Sequence, residues 1–115
     1  MRDGPIMTKS IDFSIEIIKY YRILVNKKEF DIAGQLLRSG TSIGAKVFEA
    51  QFAESRTDFI HKMKIASKEA SETYYWLILC EKLKEFKVEQ KAISDIKEII
   101  AILSKIIITS KKNQL

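Results

Sequence analysis

The chain has 115 residues, 46% hydrophobic and 30% charged, with one proline, four glycines and one cysteine. That length and balance fit one globular domain and exclude a disordered chain, and so few turn residues argue against an all-β fold. The formal net charge of +5 is compatible with a nucleic-acid partner and equally with ordinary solubility charge.

Cys80 has no second cysteine to bond, which suits a reducing cytoplasm. No stretch reaches the ~18 apolar residues of a membrane span, so no membrane partner is expected. The residues before Thr8 lack the apolar core of a signal peptide. Residues 1–7 read as a flexible leader, 8–112 as one domain and 113–115 as a tail.

The first helix is expected from about Thr8 to Lys28. Thr8 or Ser10 can cap it, and Lys27 and Lys28 suit its C-terminal end. Ile11, Phe13, Ile15, Ile17, Ile18, Tyr20, Tyr21, Leu24 and Val25 cover well over half its circumference, too wide for one face of a small bundle.

A second helix is expected from about Phe30 to Ala53. Ile32, Ala33, Leu36, Gly40, Ile43, Gly44, Val47 and Ala50 share one face. Gly40 and Gly44 each weaken a helix by about 1 kcal/mol relative to Ala, so Ser39 to Ser42 is a candidate loop. The apolar phase nevertheless passes through it unbroken. Both glycines then read as packing residues that let another helix approach closely. A glycine pair at this spacing marks a membrane dimer only within an apolar span, which this is not.

The third helix is expected from about Arg56 to Lys84, with Ser55 and Asp58 as a capping-box variant. Phe59, Met63, Ala66, Ala70, Thr73, Leu77 and Cys80 form one seam. Ile65, Glu69, Glu72, Trp76, Leu79 and Leu83 form a second. Two seams on one helix mean two neighbours. Lys64, Lys68, Tyr75 and Lys82 fall on the outer face.

The fourth helix is expected from about Glu89 to Lys111, with Ala92, Ile93, Ile96, Ile99, Ile100, Leu103, Ile106 and Ile107 as its core face. Ile102 and Ile108 lie off it. Short links between long helices imply an all-α, antiparallel up-down-up-down four-helix bundle.

No catalytic constellation is present, and neither an enzyme nor a cofactor is expected. A di-metal bundle site needs Glu-x-x-His on two helices. His61 is the only histidine, and no Glu stands three residues before it. Glu69 and Glu72 read instead as partners for Lys, Arg or hydroxyl groups across a seam. Cys80 and His61 lie about five turns apart on one helix, which excludes them as a nucleophile and its base.

The run Leu37 to Ala45, followed by Glu49-Ala50, Ala53, Ser55, Asp58-Phe59, Lys62, Ile65-Ala66, Lys68-Glu69-Ala70, Glu72-Thr73 and Tyr75-Trp76-Leu77, resembles the small bundle proteins encoded in intervening sequences of bacterial 23S rRNA genes. Lys46 stands where that family more usually has Asn, and Phe48 where it has a small residue. The resemblance implies a non-enzymatic all-α protein that assembles into homopentamers. It extends to accessory proteins of diversity-generating retroelements, basic barrels that work with a reverse transcriptase and nucleic acid.

Two functions remain open. One is an oligomer that binds RNA or single-stranded DNA through Lys19, Arg22, Lys64, Lys68 and Lys82 on phosphates, with Tyr75 as a stacking platform. The other is a scaffold or regulatory module that binds only a protein partner. The wide apolar girth of the first helix, with Trp76, Leu79, Ile102 and Ile108 off the main core faces, leaves more apolar surface than a small monomer tolerates. These residues are the expected self-association surface.

Overall fold

The computed structural model describes residues 4–84 and 86–113. Four helices follow in order: α1 Gly4–Asn26, α2 Phe30–Ala50, α3 Arg56–Leu83 and α4 Gln90–Lys112. Among the described residues there is no strand. Each helix packs on the next, α4 returns to α1, and α1 and α3 lie on a diagonal. Short connections force neighbours to run antiparallel. The result is a rod of 50 × 21 × 20 Å, and none of its helices is long and apolar enough to cross a membrane.

The start of α1 corrects the sequence expectation of a leader over residues 1–7. Gly4 to Met7 are helical, and Ile6 and Met7 are buried in the core. Pro5 sits in the first turn, where its missing N–H costs no intrahelical bond. Ile6 then extends the core line of Ser10, Phe13, Ile17 and Leu24 by one turn. Thr8 and Ser10 are therefore interior residues rather than caps. Residues 1–3 lie outside the described residues, as do 114 and 115 of the expected tail.

At its other end α1 closes in a Schellman motif. Lys28 takes the left-handed conformation with φ 63°. Its N–H donates to the Val25 carbonyl at 2.9 Å, and the Glu29 N–H to that of Leu24 at 3.0 Å. α3 also stops on a left-handed lysine, Lys84, with φ 61°. Beyond it, Phe86 and Val88 fold back and plug that end of the core.

α2 runs unbroken through Ser39 to Ser42. Hydroxyls that compete with a helix elsewhere here bond back one turn. Ser39 donates to the Gln35 carbonyl at 2.8 Å, Thr41 to Leu37 at 2.6 Å and Ser42 to Arg38 at 2.6 Å. The buried face is Ala33, Leu36, Ser39, Gly40, Ile43, Gly44, Val47 and Ala50. The helix ends at Ala50, one turn before the expected Ala53.

α1 crosses α2 at the two glycines. A Cβ on Gly40 would stand 2.8 Å from Ile17 Cγ2 and 2.9 Å from its Cγ1. Ile17 is buried and stiff at χ1, so it has little room to yield. A Cβ on Gly44 would meet Ser10 Cβ at 3.4 Å and the Ser14 hydroxyl at 3.5 Å, which is ordinary contact. The two positions are unequal, and only Gly40 requires glycine.

α3 starts as expected from Ser55. Its hydroxyl accepts from the Asp58 N–H at 3.0 Å, and the Asp58 carboxylate accepts from the Glu54 N–H at 3.1 Å. The reciprocal bond thus reaches one residue further back than in the usual capping box. Backbone donation from Glu54, then the ammonium of Lys62, hold the Asp58 carboxyl below its ordinary value. Met63, Ala66, Ala70, Thr73, Leu77 and Cys80 are buried along the first seam, as are Ile96, Ile99 and Leu103 of α4.

Leu77→Ala and Ile96→Ala, both at fully buried positions, each lower the unfolding free energy by about 2–5 kcal/mol in denaturant titrations. Gly40→Ala destabilises by about 1–3 kcal/mol through overpacking against Ile17. Gly44→Ala is neutral or stabilising by up to about 1 kcal/mol, whereas Gly44→Leu pushes the helices apart. Equal costs for the two alanine variants would contradict the packing described.

Candidate nucleic-acid interface

The outer face of α3 is the stripe that the seams leave over. Lys64, Lys68, Ser71, Tyr75 and Lys82 are all exposed. α4 lies beside it, antiparallel, and carries Lys91, Lys97, Lys105, Lys111 and Lys112 against Asp95 and Glu98. The last turn of α4 therefore meets the first turns of α3, and Lys111 comes against Lys64. The hydrogen bond and like charge of the Lys111 amine hold the Lys64 ammonium below its ordinary value. Further along the same groove, Lys97 Nζ stands 5.9 Å from the centre of the Tyr74 ring.

Half of the other lysines are paired, while Lys27, Lys28, Lys84, Lys97, Lys105 and Lys112 have no ion pair among the described residues. Lys9 pairs with Glu98 at 2.9 Å, Lys46 with Glu49 at 3.2 Å, Lys62 with Asp58 at 3.1 Å and Lys91 with Asp95 at 2.6 Å. Among the described residues no carboxylate lies within ion-pair distance of Lys64, Lys68, Lys82 or Lys111. A like-charge pair left without a counter-ion is where an anion gains most.

The structure does not bring all the sequence candidates together. Lys64, Lys68 and Tyr75 share the α3 stripe. Lys82 shares it too, but fourteen residues beyond Lys68, about 21 Å along the helix. Lys19 and Arg22 are on α1, diagonally across the bundle from α3. Lys19 is drawn to Glu16 at 3.6 Å and lines the groove between α1 and α4. Lys97 and Lys111 complete the basic face, and the sequence reading missed both. Their signal is a spacing: Lys97, Ser104 and Lys111 recur every seven residues beside the α4 core line.

The second seam of α3 proves to be a hydrogen-bonded one. Arg38 of α2 donates to both Glu69, at 3.1 Å, and Glu72. The Trp76 indole N–H donates to the same Glu72 carboxylate at 2.9 Å. That bond, then Arg38, holds the Glu72 carboxyl below its ordinary value. Both carboxylates are thus occupied across the α2–α3 seam, as the sequence suggested for their role.

The residues expected to drive self-association fall out differently. Trp76, Leu79 and Ile102 are half-buried within the chain, and Ile108 is exposed on the outside of α4. Most large exposed apolar side chains lie on α1, on α2 or just after it, namely Ile11, Ile15, Ile23, Phe30, Phe48 and Phe52, with Leu83 on α3 and Ile108 on α4 besides. Composition shows that such surface exists; only the packing shows which helices carry it.

The remaining chemistry is inert. Cys80 is fully buried and lies against the Tyr20 phenol. Burial pushes its thiol up to about 11, which keeps it protonated and unreactive. Burial also raises the Tyr20 phenol above its ordinary value. His61 is exposed, far along the helix from Cys80. Among the described residues no three His, Cys, Asp or Glu side chains cluster as metal ligands.

A comparison with curated protein sequences gives no match. Among solved structures, a crystal structure of a protein of unknown function from the S23 ribosomal protein family of Bacteroides thetaiotaomicron superposes with a TM-score of 0.86. It is 46% identical, and the match covers 89% of this chain and 97% of that one. Residues 2–108 match the 23S rRNA-intervening sequence protein family. With nearly the whole bundle matched in sequence and fold, the chain belongs to the 23S rRNA-intervening sequence protein family.

Proposed function

We propose that this protein is a non-enzymatic, self-associating bundle that binds RNA or single-stranded DNA on its α3/α4 face. The observation that carries this reading is that Lys64, Lys68 and Lys111 are all exposed on this face with no carboxylate within ion-pair distance among the described residues. A phosphate seated between Lys64 and Lys111 relieves their repulsion and reaches Lys68 one turn on. Lys97 and Tyr74 continue the face, and Tyr75 presents an exposed ring for a base. This is contact with backbone and base faces, so it tolerates many sequences.

Self-association multiplies the effect. Each copy repeats the basic face, and weak contacts on one strand add through effective concentration. Five copies, and a working partnership with a reverse transcriptase, are the forms that the resemblance to retroelement accessory proteins favours.

The replacement Lys64→Glu, Lys68→Glu and Lys111→Glu in one chain abolishes binding to single-stranded RNA in gel-shift titrations and leaves the helical circular dichroism unchanged. Lys19→Glu has little effect. Binding by the wild type falls steeply with salt, with a slope of about −0.7 per phosphate contact for single strands. The absence of any shift with RNA or single-stranded DNA at low salt overturns this reading and favours the protein-only scaffold.

A further inference from the structure

A cavity of about 570 Å³ opens at the end of the bundle, between the α2–α3 corner and the last turns of α4. Three of its polar side chains decide what it holds. Ser110 is the first. It is only 8% exposed, and it lines the cavity. The hydroxyls of Ser14, Ser39, Thr41, Ser42 and Thr73 bond the carbonyl one turn back. The Ser110 hydroxyl does not, and among the described residues it has no hydrogen-bond partner. A donor so far withdrawn from water is costly without a partner, and the cavity is where one fits.

The other two are Arg56 and Lys105. Both line the cavity and both are exposed. Among the described residues no carboxylate lies within ion-pair distance of either. Arg56 brings a planar fork that suits phosphate oxygens, and Lys105 a point charge. Glu54 is the one carboxylate on the lining, so side chains leave a surplus of one positive charge. The N-terminal end of α3 adds roughly half a positive charge, and the C-terminal ends of α2 and α4 take away roughly half each. Lys111 and Lys112, in the last turn of α4, tip the balance further. The cavity is therefore positive.

From these residues we infer that the cavity holds the terminal phosphate of the bound single strand. The inference rests on the nucleic-acid reading above and names the part of the strand that this end of the molecule takes.

Position selects a strand end. Arg56 stands eight residues before Lys64, about 12 Å along α3, and Ser110 is the neighbour of Lys111. The cavity is thus the next positive site along the basic face after the Lys64–Lys111 contact. Beyond it the surface changes sign. The adjoining hollow shares Glu54 with the cavity and adds Glu49 and Asp58. Its one lysine, Lys62, is already held by Asp58 at 3.1 Å. A strand that ran on would meet those carboxylates, whereas a strand that stops in the cavity does not.

Charge selects a phosphate monoester. A phosphodiester within the strand carries one negative charge and two free oxygens. A terminal phosphate carries about −1.5 to −2 at neutral pH and offers three strong acceptor oxygens, enough for Arg56, Lys105 and Ser110 together.

The test compares the affinity of the full chain for one single-stranded RNA prepared with a 5′ phosphate, with a 3′ phosphate, or with hydroxyls at both ends. A phosphate at one of the two ends tightens binding about tenfold, and the end that does so gives the direction of the strand along α3. Ser110→Ala and Arg56→Gln each remove most of that gain and keep the helical circular dichroism. Lys27→Gln, at the opposite end of the rod, retains it. RNA that binds equally well whatever its ends, or a gain that survives both cavity variants, overturns this inference and leaves the basic face standing. Failure of all three RNAs to bind overturns the nucleic-acid reading itself, and the inference with it.

Discussion

The close approach of α1 to α2 at Gly40 is the constraint on which the rest of the molecule depends. With no side chain at Gly40, Ile17 fills the space a Cβ would take, and the two helix backbones come together more tightly than larger residues would permit. Glycine in a helix interior opposes folding by about 1 kcal/mol relative to Ala. The continuous apolar phase on either side of it holds the helix straight.

Sidedness follows from connectivity. In an up-down bundle with short links, α1 and α2 form one side and α3 and α4 the other. Exposed isoleucines and phenylalanines collect on the first side. Lysines collect on the second, where the end of α4 runs against the start of α3. The Arg38–Glu69–Glu72–Trp76 network clamps the two halves together along the α2–α3 seam. The bundle core supplies rigidity to both faces, and its one thiol is buried and protonated.

Much of this was legible in the sequence. Helical periodicity over twenty residues is a strong signal, so the fold, the glycine-bearing face of α2 and the buried seam of α3 could be read position by position. The start of α1 could not, because Pro5 looks like a break when it is in fact a first-turn residue. The ends of α1 and α3 were read to within two residues, though not the left-handed turn that lysines rather than glycines adopt there. The candidate site was half legible. Lys64, Lys68 and Tyr75 follow from one helix's own phase. Lys97 and Lys111 depend on which face of α4 meets α3, a tertiary fact that a single helix's pattern does not contain. For the same reason Trp76, Leu79 and Ile102 looked available from the sequence, while the fold half-buries them.

The most direct measurement of a two-sided molecule is amine labelling of the wild-type protein, read residue by residue by mass spectrometry, with and without a single-stranded RNA. RNA bound on the α3/α4 face slows labelling of Lys64, Lys68, Lys97 and Lys111 and leaves Lys46 and Lys91 unchanged. Protection spread evenly over all lysines, or centred on α1 and α2, would contradict it.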